Sequence, residues 1–208
     1  MKKSLSLILL IFVLLTAYSQ KKANVFMNYS EFKADTPAKY VDFEIVQRSQ
    51  ADIFMSGGIL NYKTKKVNPS SEKEKFRQNV WGVLFQDTVF INSYPFSKRH
   101  GFNKILEKGY YTYFIGEPAF LRTEQLKLGI INDGETVKSV CCQTAYVILP
   151  DGTVKWLNSE LLMQLVADYK QLSQELENKT FGPEDVYEMF GVLSQYNQFK
   201  SDNLKTDD

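Results

Sequence analysis

Tyr146-Val147-Ile148-Leu149-Pro150-Asp151-Gly152-Thr153-Val154-Lys155-Trp156-Leu157-Asn158 reads as a strand, a turn, a second strand and the start of a helix. Aromatic and β-branched residues dominate the first segment, as a pleated, half-buried surface favours. Pro150-Asp151-Gly152-Thr153 carries turn chemistry between the two strands. Asn158 is an N-cap residue, with Leu157 placed to pack on Leu162 across the first helical turn. Beyond it Leu161, Leu165, Tyr169, Leu172 and Leu176 recur at helical spacing, which predicts one amphipathic helix stopping around Glu177 to Lys179. The side-chain period thus changes at Asn158 from that of a sheet to that of a helix.

Downstream, Gly182-Pro183-Glu184-Asp185 suits a second helix start, with Phe181 and Val186 as its staple. Val186, Met189, Phe190, Leu193 and Tyr196 form its apolar face. The short link predicts an antiparallel helical hairpin over 158–200, and Ser201–Asp208 is expected to be a disordered polar tail. Upstream, residues 40–157 read as β-rich. Strands are expected at Phe43–Arg48, Asn79–Gln86, Thr88–Asn92, Tyr110–Ile115 and Lys138–Leu149, with a tight turn near Asp87. Asp52–Tyr62 is a further strand candidate, interrupted by Gly57-Gly58. Lys63–Gln78 is highly charged and reads as a mobile loop, and Gln20–Lys39 as an irregular lead-in with one helical turn after Asn28. Many short strands without βαβ spacing predict an α+β fold: an antiparallel sheet or open barrel followed by the helical pair, as one domain over 20–200.

The chain opens Met1-Lys2-Lys3, then an apolar run from Leu5 to Leu15, then Ala17-Tyr18-Ser19. That is the order of a cleavable secretory signal, with cleavage expected after Ser19. The run is too short to span a bilayer core, which takes about 20 residues, so no transmembrane anchor is expected. The 208-residue chain carries 25 basic and 24 acidic residues. Without Lys2 and Lys3 the balance is 23 to 24, net −1, which excludes an electrostatic nucleic-acid binder. The expected location is periplasmic or secreted.

The inventory for catalysis is short. His100 is the one histidine, set among Lys98, Arg99 and Gly101 as a loop residue. Cys141 and Cys142 are adjacent, so they point to opposite faces of a strand and read as small thiols rather than a disulfide framework. One histidine and two adjacent cysteines do not make a tetrahedral zinc set, and no metal or cofactor is expected. There is no nucleophile elbow and no phosphate loop. Paired carboxylates are the one enzyme chemistry left: Glu107, Glu117, Glu124 and Asp133 as members of a glycan hydrolase, weighed against solvated surface charge. Trp81, Tyr111, Tyr113 and Trp156 are the candidate ligand-binding rings, weighed against sheet core.

Tyr146 to Leu149, Asp151-Gly152, Val154, Leu157-Asn158, Leu161-Leu162, Leu165, Asp168-Tyr169, Leu172 and Tyr196-Asn197 form an ordered series. With Phe26–Phe32 and Trp81-Gly82-Val83, it resembles an uncharacterised family of small exported bacterial proteins. The resemblance spans most of the mature chain. It implies a signal peptide, a β-rich middle and a C-terminal helical pair ending near a Tyr-Asn, and it carries no activity. The chain departs from the pattern at Gly182-Pro183 in the helix link. The function expected is therefore an exported, non-enzymatic binding or interaction protein. An envelope component or a glycan is its candidate partner, its oligomeric state is open, and the carboxylate-dependent glycan hydrolase is the alternative.

Overall fold

The computed structural model describes residues 22–55, 61–97, 100–116, 144–182 and 185–204. The signal segment, Cys141, Cys142, Glu117, Glu124 and Asp133 lie outside them, as does Lys138–Gln143 of the expected long strand.

Among the described residues nine strands form one antiparallel sheet. They are β1 (Lys22–Phe26), β2 (Lys39–Val46), β3 (Lys63–Asn68), β4 (Gly82–Phe85), β5 (Thr88–Asn92), β6 (Phe102–Glu107), β7 (Thr112–Gly116), β8 (Thr144–Ile148) and β9 (Val154–Trp156). Their order is β3-β2-β1-β4-β5-β6-β7-β8-β9, so β3 and β9 are the edges and the sheet is open. Seven α-helices accompany it among the described residues: α1 (Tyr29–Lys33), α2 (Gln50–Met55), α3 (Lys73–Asn79), α4 (Tyr94–Ser97), α5 (Ser159–Leu165), α6 (Lys170–Leu176) and α7 (Val186–Leu204). The α+β class and the antiparallel, unclosed sheet are as the sequence pattern predicts.

The sheet curls. Tyr62, just ahead of β3, exchanges two backbone hydrogen bonds with Phe102 of β6, at 2.8 and 2.9 Å. That bridge spans four strands, so β3 through β6 wrap around a common interior. Ala23, Val25, Phe43, Val67, Val83, Phe85 and Phe102 fill it, with Phe76 of α3 packed among them. Beside the bridge the Ser93 hydroxyl accepts from Asn61 at 3.1 Å and from Asn103 at 2.8 Å, which satisfies buried amides at the seam.

Beyond β6 the sheet has two covered faces. Tyr111, Tyr113, Ala145 and Val147 pack under α5, α6 and α7. Phe114, Tyr146 and Ile148 face the other way and join Phe26, Ile91 and Phe32 of α1. Tyr111, Tyr113 and Ile115 thus lie on one face and Phe114 on the other, the alternation that strand geometry imposes.

Several local expectations are corrected. The lead-in is no irregular segment: β1 lies between β2 and β4 inside the sheet. It is short, and its lysine and asparagine mask the inward Ala23 and Val25. Of the strand candidate at Asp52–Tyr62, Asp52 to Met55 belong to the helix α2 and 56–60 lie outside the described residues. Asp52 Oδ2 accepts the Ser49 N–H while the Ser49 hydroxyl accepts the Asp52 N–H, both at 3.2 Å, a reciprocal helix-start pairing. The charged loop at Lys63–Gln78 is β3, a 3₁₀ turn at Ser70–Glu72, and α3. As an edge strand β3 turns Thr64 and Val67 inward and Lys65 and Lys66 to water, so few apolar residues mark it. The strand expected from Asn79 starts at Gly82, because α3 runs to Asn79.

The helical part is three helices, not a pair. Asn158 caps α5 as predicted, its Oδ1 accepting the Leu161 N–H at 2.8 Å, and Leu157 and Leu162 are buried together. The helix then breaks at Val166–Tyr169, where the Asp168 carboxylate accepts from Tyr196 and Lys200 of α7. α7 continues through Ser201 to Leu204, past the point where fraying was expected.

Candidate functional site

The site begins with the turn Lys108-Gly109-Tyr110-Tyr111 between β6 and β7. Asn197 of α7 fastens it: its Oδ1 accepts the Tyr111 N–H at 2.8 Å and its amide donates to Tyr111 O at 2.9 Å. A Cβ on Gly109 would stand 2.3 Å from the Asn197 amide nitrogen, so this approach requires glycine. With the turn held from behind, Lys108 and Tyr110 project from a fixed base.

Opposite stands α1, positioned by its own cap. Asn28 Oδ1 accepts the Glu31 N–H at 3.0 Å, and Glu31 Oε2 accepts the Met27 N–H at 2.7 Å. Two lysines tie the elements together. Lys108 Nζ donates to Phe32 O at 3.0 Å and lies 4.5 Å from the centre of the Phe32 ring, a cation over an aromatic face. Lys33 Nζ donates to Pro150 O at 3.3 Å in the β8–β9 turn.

Between these parts lies a cleft of about 100 Å³. Tyr29, Phe32 and Lys33 line one side, Lys108, Gly109, Tyr110 and Thr112 the other, and Pro150 the end. Among the described residues its lining is mostly apolar and holds no carboxylate. Asp151 sits in the adjoining turn, its carboxylate accepting the Thr153 N–H at 2.9 Å. Burial first, and the Asp151 charge second, push the Tyr29 hydroxyl above its ordinary range.

The four rings singled out in the sequence do not converge. Trp81 lies behind the cleft wall, stacked on Phe32 with ring centres 4.6 Å apart. Trp156 belongs to the same apolar cluster from β9. Tyr111 and Tyr113 are on the opposite face under the helices, stacked on Tyr196 and Phe190. Their hydroxyls are engaged by Leu165 O and Glu107. Burial is the main reason both phenols titrate far above their ordinary range. Tyr29, Lys33, Lys108 and Tyr110 line the cleft instead. Sequence reading passes over them because nothing local brings Lys108 to Phe32, which lies 76 residues away.

Of the four acids considered for hydrolysis, Glu107 alone is described. It accepts from Asn197 at 2.7 Å and from the Tyr113 hydroxyl at 2.5 Å. Burial raises its pKa, but the donors Asn197, Tyr113 and Ser194 together outweigh that and hold it below the usual range. An acid held ionised by three donors is poorly suited to give up a proton to a leaving group. His100 lies at the surface, stacked on Tyr94 at 4.9 Å and 3.9 Å from Glu74. Among the described residues no three histidines, cysteines or acids cluster as metal ligands. None of the described helices is long and apolar enough to cross a membrane.

No curated protein and no solved structure matches the chain. A family model does, and its span starts at Asn24 in β1 and ends at Lys200, so it takes in most of β1, the strands β2 to β9, the cleft and the Asn197 fastening. Over residues 24–200 the chain belongs to DUF6563, a family of unknown function.

Proposed function

We propose that the protein is an exported, non-enzymatic binding protein of the cell envelope or the secreted space, with a glycan as ligand. The cleft between α1 and the β6–β7 turn is its contact surface. One observation carries this reading: aromatic walls and two lysines converge from separate elements on a hollow whose described lining residues include no carboxylate. Aromatic faces suit the C–H faces of sugar rings, and lysines suit their oxygens. The Met1–Ser19 pattern supports export. The engagement of Glu107 by Asn197 and Tyr113 weighs against the hydrolase reading.

A monosaccharide has about 13 heavy atoms, and at roughly 0.3 kcal/mol per atom its dissociation constant is expected near 1 mM. The test is an NMR titration of residues 20–208 with N-acetylglucosamine and with glucuronate. Shifts confined to the amides of Lys33, Lys108, Gly109 and Tyr110 are expected, without turnover of either sugar. Absence of shifts there with both sugars overturns the reading. Mass spectrometry of the exported protein tests the address: retention of Met1 to Ser19 would remove it.

A further inference from the structure

We propose that the cleft takes the anionic end of an acidic saccharide, a single sugar ring bearing a carboxylate or a phosphate, between the ammonium groups of Lys33 and Lys108. This rests on the reading of the cleft as a glycan contact and names the class of sugar.

Charge complementarity is the first argument. Among the described residues no carboxylate pairs with Lys33 or Lys108: Lys33 donates to Pro150 O, and Lys108 donates to Phe32 O and lies over the Phe32 ring. An ammonium has three donors, so each keeps hydrogen-bonding capacity after its carbonyl contact. The carbonyls also hold the two cations in place across the hollow, so less side-chain freedom is lost on binding.

Size is the second argument. A cavity of about 150 Å³ holds one benzene ring, so a hollow of about 100 Å³ is too small for a whole sugar ring. It matches a carboxylate or phosphate group. The ring is left at the mouth beside Tyr110, which is 41% exposed. Asp151 follows Pro150 in the turn at the end of the hollow, where its negative charge opposes an anion.

The experiment uses residues 20–208 with glucuronate, glucose 6-phosphate and glucose as probes, followed by NMR at the four cleft amides. At least one acidic sugar is expected to bind about five-fold or more tighter than glucose, and the stronger of the two identifies carboxylate or phosphate as the source. Raising salt from about 0.05 M to about 0.5 M should weaken the acidic sugar and leave glucose unchanged. Lys33→Gln and Lys108→Gln should each cost about five-fold. Asp151→Asn, which keeps the turn's acceptor oxygen, should gain about two-fold. Lys108→Gln also loosens α1, so Lys33→Gln and the salt series on the unaltered protein decide the matter. Equal binding of glucose and both acidic sugars, insensitive to salt, overturns the anion assignment and leaves the glycan reading standing. No binding of any probe overturns both.

Discussion

Asn197 substitutes for a strand at Tyr111. Its side-chain amide both accepts from and donates to that residue's backbone, at 2.8 and 2.9 Å, from 86 residues away. The same amide nitrogen reaches Glu107 Oε1 at 2.7 Å. One side chain therefore satisfies the turn backbone and the acid beside it. Asn197→Ala would leave several buried or half-buried groups unpaired, at about 1 kcal/mol or more each, so a loss near 3 kcal/mol is expected by denaturant unfolding. Gly109→Ala would drive a methyl against the same amide. The two substitutions should therefore be non-additive, with a coupling of about 1 kcal/mol or more. An equal cost of Gly109→Ala in both backgrounds would show that the amide is not the obstacle.

The pair Glu107 and Tyr113 sets opposite limits on pH. The folded pKa of Glu107 lies below its unfolded value, so its contribution is full above about pH 4.3 and fades as pH falls through the folded value. Tyr113 is shifted up, by burial first and by Glu107 second. Its contribution is full below about pH 10 and is lost as pH rises through the folded value. Glu107→Gln should cost about 1 kcal/mol at neutral pH, discounted for partial exposure, and the gap to the parent should close below about pH 4. Circular dichroism during acid titration reads this. A gap that persists at low pH would mean that packing, not charge, is what the substitution removes. Ultraviolet titration should show Tyr111 and Tyr113 resisting ionisation until the fold opens.

Gly152 is held at φ 88°, and a Cβ there would stand 2.6 Å from the Tyr29 ring. Gly152→Ala therefore meets both a disfavoured backbone and a wall of the cleft. A loss of about 2 kcal/mol is expected, combining roughly 1 kcal/mol of conformational strain with the displaced ring. Because Tyr29 must move, the sugar-dependent shifts at Lys33 and Tyr110 should weaken as well. Stability lost with sugar binding intact would place Tyr29 outside the contact surface.

The fold was legible where a local rule and the tertiary environment agree. Asn158 and Leu157 announced α5, and Pro150 to Thr153 announced the β8–β9 turn, because capping and turn chemistry act within a few residues. Period alone did not find the break at Val166–Tyr169. Leu165, Tyr169 and Leu172 still face the same core across it, so the apolar stripe continues while the hydrogen-bond ladder does not. β3 was hidden because an edge strand needs only Thr64 and Val67 inward. The cleft was hidden for a different reason. Its walls come from α1, the β6–β7 turn and the β8–β9 turn, and the bonds joining them span 76 and 117 residues. Rings such as Trp81 stand out in a sequence by size, yet the ring that stays accessible at the cleft is Tyr110, while Trp81 supports Phe32 from behind.

The β4–β5 hairpin offers the last prediction. Its two turn residues, Gln86 and Asp87, have φ of 49° and 58°, the left-handed pair that a two-residue hairpin turn demands. Asp tolerates that region better than Gln does, and Asn-Gly suits both positions better still. Both side chains are exposed, so changing them disturbs no packing. Gln86→Asn with Asp87→Gly relieves strain of about 1 kcal/mol or more per residue, offset by the added freedom of glycine in the unfolded chain. The net expectation is about 1 kcal/mol of stabilisation, or roughly 3 °C in Tm for a domain of this size. The strands flanking the turn contribute Val83, Phe85 and Phe90 to the rolled interior, so the gain should appear in global unfolding and not only in local fraying. An unchanged Tm would mean that the packing of those three side chains, and not the turn, fixes the register of the hairpin.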